Sequence, residues 1–321
     1  MEKKVLCLLP DYVLNSPIFN AWEKCLIERK IEVYKVSVTG GCKDYLKLFQ
    51  EYPNVITWNC RTKHSWIEAQ NKNVLFIDNS LLIQRSGISL DNGGFFSDSN
   101  LQKRHSQIEN ISIEEEEEMK MMINKKFNLP FLSHKTKNNK VLVALQHHLD
   151  SNINFQFPFG EKFQDKIEAT LCFIKTFLPE EYEVTIRPHP RFINHWNDNI
   201  SKYQKSFWDS NWKIDLSKSA YNQLNDYGYL ISVNSTLVQE AICLGMPIAT
   251  LGVGTFTDHK VTLECAKDFA DLENLKDFSV EHQNIIQYIY KVWKHNILHH
   301  EDSFETITSN EEWKKFLARI N

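Results

Sequence analysis

No stretch of the 321-residue chain strings together the roughly twenty apolar residues that a membrane-spanning helix needs. Any membrane contact is therefore expected to be peripheral. The opening MEKKVLCLLP has a charged head, but its apolar run of about five residues is short for a signal sequence and reads as a first strand. Seven cysteines stand at 7, 25, 42, 60, 172, 243 and 265, without a CxxC pair and in an odd total. That usage fits reduced thiols in a cytoplasmic protein rather than a disulfide framework or a zinc ribbon. Positive charge is not in excess: the net charge is -4, so nothing general drives counterion release and nucleic acid is not an expected partner. Solenoid repeats are absent too.

What is present is a globular composition, 42% hydrophobic, long enough for two α/β domains. KKVLCLLP, IEVYKVSV, NVITWN and NVLFID read as strands, with helices at 20–29 and 42–52, the alternation of a doubly wound domain. After Asp78 the pattern loosens into a polar loop, 79–101, of the kind that carries substrate contacts. The acidic run inside 111–126 reads as the solvated face of a helix. Leu129-Pro130 ends that helix, and HKTKNNK marks a junction that divides the chain into domains 1–135 and 136–321. KVLVALQ then opens a second α/β series, and Asp150 lies just past the carboxyl end of its strand. His147, His148 and Asp150 lack the spacing of a metal site, so no metal is expected there. A final helix near 310–320 is placed to pack back on the first domain.

The segment 183–256 carries the densest chemistry. VTIR is a short strand stopped by Arg187-Pro188-His189-Pro190-Arg191, in which two prolines hold the histidine in extended backbone between two arginines. Such a group can clamp a phosphate or nucleotide. Further on, YLISV reads as a strand, NST as a turn and LVQEAICL as a helix ending at Gly245, a left-handed cap. A Ser/Thr turn entering a helix offers hydroxyls and N–H groups to an anion, and Glu240, one turn beyond Thr236, can accept from ribose hydroxyls. The plainer alternative makes Ser235 an N-cap and Glu240 a solvated helix residue. The aromatic segment 192–212 offers either acceptor contacts or packing.

These residues resemble the bacterial capsule and lipopolysaccharide β-Kdo transferases, which use CMP-Kdo, and more distantly the bacterial sialyltransferases. The resemblance rests on His189-Pro190 and Ser235-Thr236, on Asp78-Asn79-Ser80-Leu81-Leu82, on Gly87 to Gly94 with Asp91, and on Gln146 to Asn152. It departs from the family pattern at Asp78, Ser80 and His147, where Glu, Gly and Pro are usual. It implies two Rossmann-like domains facing a cleft in the GT-B manner. It also implies a CMP-sugar donor held by Arg187, His189, Pro190, Ser235, Thr236 and Glu240, and substrate contacts from Gln146, Asn152, Asn79 and Asp91. Asp150 then serves as the nucleophile of a retaining double displacement and Asp78 as acid/base. No cofactor or metal is implied, since no DxD motif is evident. A saccharide or glycolipid acceptor and peripheral association with the inner membrane or a glycan-assembly complex complete the expectation. The alternatives are an inverting transferase of sialic or another ulosonic acid, a sugar-nucleotide epimerase, and a catalytically silent nucleotide-binding partner. For Asp150 itself the plain alternative is an Asx turn at the strand end.

Overall fold

The computed structural model describes residues 3–38, 48, 51–58, 72–82, 87–93, 99–127, 130–147, 157–158, 165–207, 212–216 and 221–320. The chain divides into two compact α/β units, the first built from Met1–Arg104 and Lys291–Asn321, the second from His105–Tyr290. The chain therefore passes between units at Arg104 and again at Tyr290, whereas the composition had pointed to 135/136. The reason lies in the acidic helix. Its cap residue Glu115 accepts from the Tyr290 hydroxyl at 2.8 Å, and Glu109 N donates to Gln287 Oε1 at 2.9 Å, so 105–127 is bonded to the second unit.

In the first unit, β1 (Lys4–Leu9), β2 (Glu32–Ser37), β3 (Asn54–Trp58) and β4 (Asn73–Asn79) form a parallel sheet in the order β4-β3-β1-β2. Val5 to Leu9 are fully buried, as expected of a strand covered on both faces, while β2 is half exposed at the edge. A short helix, α1 (Asp11–Leu14), precedes α2 (Pro17–Glu28). The latter starts at Ser16, whose side chain accepts from Phe19 N, with Pro17 in the first turn. The polar segment after Asp78 is not all loop. Gly87–Asp91 forms β5, antiparallel to β4, and β12 (Ile297–His299) pairs antiparallel with β5 on its other side. A Cβ on Gly87 would stand 2.0 Å from the Leu298 carbonyl oxygen, so this pairing requires glycine there.

The C-terminal segment is part of this unit. After α3 (Asn100–Lys103), α4 (Ile113–Phe127) and the second unit, the chain returns through a π-helical turn at Val292–Asn296, then β12, α9 (Phe304–Ser309) and α10 (Glu311–Ala318). Trp313 stacks on Trp22 of α2 with centroids 5.0 Å apart, and Asn73 donates to Phe316 O. Glu312, with no solvent exposure, is the polar centre. It accepts from Asn92 N, Asn92 Nδ2 and Asn100 Nδ2 at 3.0, 2.9 and 2.7 Å, and lies beside Lys315 at 3.1 Å and Arg104 at 3.6 Å. Despite its burial, these donors hold its carboxyl below the usual range. Asp91, also buried, accepts from Gly93 N, Asn100 N, Leu101 N and Asn296 Nδ2. Burial first, and then the charge of Glu312, push Asp91 up to about 7 in spite of those backbone donors.

The second unit is a six-stranded parallel sheet in the order β11-β10-β9-β6-β7-β8. Its strands are β6 (Lys140–Ala144), β7 (Glu183–Arg187), β8 (Trp212–Ile214), β9 (Tyr229–Ser232), β10 (Ile248–Thr250) and β11 (Leu263–Glu264). Helices α5 (Lys166–Phe177), α6 (Ile193–Phe207), α7 (Leu237–Leu244) and α8 (His282–Lys291) complete it. The aromatic segment 192–212 is mostly helix α6. Phe192, Trp196 and Tyr203 face the core, and Trp212 begins β8, so these aromatics pack rather than wait for an acceptor. The acidic helix α4 begins with a reciprocal cap, Glu115 N to Ser112 Oγ and Ser112 N to Glu115 Oε2, and Lys120 pairs with Glu116 and Glu117. Among the described residues no helix is long and apolar enough to cross a membrane.

Removing the Glu312 carboxylate strands the amide donors of Asn92 and Asn100 beside two cations. Glu312→Ala should cost roughly 3–5 kcal/mol of unfolding free energy in urea titrations, whereas Glu118→Ala, on the exposed face of α4, should cost within about 0.5 kcal/mol.

Candidate functional site

Because β6, β7, β9 and β10 run parallel, their carboxyl ends open on one edge of the second sheet. Three sequence motifs meet there. Leu145 N donates to Arg187 O at 2.9 Å, which carries the β6–β7 pairing to the start of both loops and places Gln146-His147 beside Pro188-His189. The His147 and His189 rings lie edge to face with centroids 5.9 Å apart, and Phe192 stands 5.9 Å from His147. On the other side of β6, Ser232 Oγ donates to Ala144 O at 2.9 Å, which ties the NST turn to the same edge.

The proline bracket does what the sequence suggested to the backbone. His189 is extended at φ -59° and ψ 134°, Pro190 opens a 3-10 turn at Pro190–Phe192, and α6 follows directly. His189 Nδ1 accepts from Arg191 N at 3.2 Å. A neutral ring accepting at Nδ1 carries its proton on Nε2, so the outer edge of the imidazole is a donor, the polarity that a phosphate oxygen requires. Arg187 departs from the expected clamp. It is buried, and its guanidinium pairs with Asp215 at 2.6 Å and reaches Gln223 Oε1 at 3.5 Å, which braces the ends of β7 and β8. Arg191 is the exposed cation of the motif.

The NST turn is stitched to itself. Ser235 Oγ accepts from Leu237 N at 3.3 Å, Val238 N bonds to Ser235 O and Gln239 N to Thr236 O, while Ser235 N reaches Ser232 Oγ at 3.4 Å. The first-turn N–H groups of α7 are thus engaged locally, and the turn offers hydroxyls more than amides. The two bonds to serine oxygens are long, and a stronger acceptor can take those donors at small cost. At its far end α7 closes on Gly245 at φ 74°, with Gly245 N to Ile242 O and Met246 N to Ala241 O, a Schellman pair that only a residue tolerant of positive φ makes without strain.

Glu240, half-buried on the first turn of α7, has no hydrogen-bond or ion-pair partner among the described residues. Burial alone pushes its carboxyl up to about 8. A desolvated carboxylate without donors is poised for a ligand that brings hydroxyl donors of its own. Nearby in sequence, Asn234 Nδ2 donates to Val253 O, while the side-chain oxygens of Asn234 and of buried Gln146 accept no hydrogen bond among the described residues.

In the first unit, Asp78 and Asn79 stand at the carboxyl end of β4. Asp78 Oδ1 accepts from Asn79 N at 2.7 Å, and Tyr12 OH donates to Asn79 Oδ1 at 3.2 Å. Burial and the neighbouring Asp78 charge push the Tyr12 phenol up to about 12, and its ring meets Trp58 edge-on at 5.7 Å. Tyr12 and Trp58 were not singled out from the sequence, although each follows or ends a strand of the sheet that carries Asp78. Asp91 belongs elsewhere: all four of its recorded donors are groups of the fold, so the expected substrate contact is a structural residue. Asp150 and Asn152 lie outside the described residues. Among the described residues no group of three or more His, Cys, Asp or Glu side chains is placed to hold a metal ion.

No family model and no curated protein matches the chain. Solved structures do. The structure of Thermosulfurimonas dismutans KpsC, beta Kdo 2,7 transferase, superposes with a TM-score of 0.59 at 13% identity, covering 95% of this chain and 98% of that one. The structure of KpsC, beta Kdo 2,4 transferase, from the same organism gives 0.52 at 13% identity over 90% of each chain. The fold is shared with both: two Rossmann-like α/β units in one chain.

The raised Glu240 carboxyl has a signed consequence. Its proton is held more tightly folded than unfolded, so its ionisation removes stability as pH rises from about 4.5 through about 8. Glu240→Gln should therefore raise the melting temperature at pH 8.5 and change it little at pH 4.5. Equal shifts at both pH values would show that the carboxylate is not desolvated.

Proposed function

We propose that the chain is a glycosyltransferase that moves Kdo from CMP-Kdo to a saccharide or glycolipid acceptor in capsule or lipopolysaccharide synthesis. One observation supports this most: His189-Pro190, Ser235-Thr236 and Glu240, distant in sequence, stand at the carboxyl edge of one parallel sheet. They do so in a chain with the fold of a beta Kdo transferase structure. In this reading the His189 Nε2–H and the Ser235 and Thr236 hydroxyls take up charge on the phosphate of CMP as it departs, and Glu240 accepts from the ribose hydroxyls. Fixed dipoles of this kind stabilise the leaving group without reorganising at the moment of reaction. Glu240 ionises when those hydroxyls donate to it, which offsets the desolvation that raises it in the unliganded protein.

Asp150 is the nucleophile of the proposed double displacement. Its carboxylate forms a bond to the anomeric carbon as the bond to the CMP phosphate oxygen breaks, and CMP leaves with that electron pair. Asp78 then takes the proton of the acceptor hydroxyl while the acceptor oxygen displaces Asp150, so two inversions give net retention. Its position at the end of β4, with Asn79 N on one oxygen, leaves a carboxylate oriented at a sheet edge rather than sunk in the core.

Asp150→Asn should lower transfer from CMP-Kdo by at least about 1000-fold with CMP affinity nearly unchanged, and mass spectrometry of the wild-type enzyme quenched with donor should show a Kdo adduct on Asp150. Undiminished transfer by the variant would remove Asp150 from the chemistry, and the lack of any adduct together with an inverted product would assign an inverting mechanism. His189→Ala should weaken CMP binding by about tenfold, the worth of one charge-assisted hydrogen bond, measured by calorimetry.

A further inference from the structure

In the first unit, α2, α9 and α10 enclose an open groove of about 430 Å³. Its apolar lining comes from Cys25, Phe304, Leu317 and Ala318, and Arg29 and Lys314 line it as cations. Cys25 and Glu28 of α2 with its C-cap Arg29, and residues 314, 317 and 318 of α10, follow the i, i+3, i+4 rule, so each helix turns one continuous stripe toward the groove. Lys24 extends this surface, with its ammonium 4.8 Å from the centre of the Phe304 ring, and Lys30 and Arg319 follow the helix ends. All five cations are exposed. Arg29, Lys30, Lys314 and Arg319 make no ion pair among the described residues. Against them stand the groove carboxylate Glu28 and Glu305 in the first turn of α9.

Helix dipoles explain part of this arrangement. Arg29, Lys30 and Arg319 sit at helix C-termini, where positive charge is favourable. Lys24 and Lys314 have no such reason: Lys24 lies inside α2 and Lys314 in the N-terminal half of α10. A small soluble anion is best held by donors converging on one point. Here the cations are spread along two helices and their ends, over an apolar floor. That distribution matches a surface that is itself extended, negative and apolar beneath.

We propose that this face of α2, α9 and α10 docks on an anionic lipid bilayer, with headgroup phosphates among Lys24, Arg29, Lys30, Lys314 and Arg319 and the groove receiving the upper acyl region. Each cation near such a surface strengthens partition by about fivefold, and the attraction fades with salt over about a Debye length. The surface is far in sequence from the motifs of the second unit and does not depend on which nucleotide or sugar they take.

The test is co-sedimentation of the full chain with vesicles of phosphatidylcholine alone and of phosphatidylcholine mixed with phosphatidylglycerol, at low and high salt. Binding should occur only to the mixed vesicles at low salt. The double variant Arg29→Gln/Lys314→Gln should weaken it by about 25-fold. Lys137→Gln, an exposed cation of the second unit, should leave it unchanged. Both altered positions are exposed, and an unchanged melting temperature verifies the fold of the double variant. Three results would each overturn the proposal: no binding to mixed vesicles, equal binding of the double variant, or protection of the groove by soluble glycerol phosphate without any affinity for vesicles. The last would make the groove a small-anion site.

Discussion

The arrangement of the second unit depends on β6 being hydrogen-bonded on both flanks by parallel strands. Val141 to Ala144 pair with Val184 to Arg187 on one side and with Tyr229 to Ser232 on the other. Parallel pairing forces all three chains to leave the sheet at the same edge, so loops separated by dozens of residues become neighbours without any contact between their side chains being required. The Leu145 N to Arg187 O and Ser232 Oγ to Ala144 O bonds extend that order to the first residues of the loops. Backbone geometry brings the segments of His147, His189 and Ser235 to one edge of the sheet.

The first unit solves a different problem, since its chain is interrupted by the whole of the second. Its closing elements return only at Lys291, whose buried ammonium donates to Arg104 O, the last residue before the chain leaves. The fully buried Glu312 then gathers donors from Asn92, Asn100 and Lys315, and Asp91 gathers those of the loop before α3. Both carboxylates lie in one buried network: despite burial, the bonds from Asn92 and Asn100 and the charge of Lys315 hold Glu312 below the usual range, while burial and the charge of Glu312 drive Asp91 up to about 7 in spite of its own donors. The same carboxylates fix where α10 sits on β4 and β5.

The fold was legible where the sequence obeyed a single period. Continuous apolar runs announced β1, β3, β4, β6 and β9, and Gly245 announced the end of α7. Strand β5 was hidden because GISLD is short, lies among loop-forming residues and is stabilised by β12, more than two hundred residues away. The same distance hid the junction, since the bond of Glu115 to Tyr290 is invisible to local composition. In the site, backbone-defined features were readable: the extended His189 and the turn at Ser235. The partners of charged side chains were not. Arg187 reads as a ligand clamp until Asp215 is seen beside it, and Asp91 reads as a substrate contact until its four donors are counted. Phe192, Trp196 and Tyr203 belong to the same class, because an amphipathic helix rich in polar residues looks like a decorated loop until its buried face is known.

The functional account joins these pieces through the nucleotide. An imidazole donor edge, two hydroxyls and a carboxylate waiting for donors suit a phosphate next to a ribose, and that pairing is the part of the proposal on which the rest stands. A ligand that binds only the folded protein raises its melting temperature in proportion to its affinity and concentration. Thermal denaturation in the presence of CMP, UDP and GDP at equal concentration is therefore the most direct measurement. The account predicts a clear upward shift with CMP, lost in Glu240→Ala and His189→Ala, and little with UDP or GDP. A shift with UDP and none with CMP would contradict it and point to an epimerase-like use of the same fold.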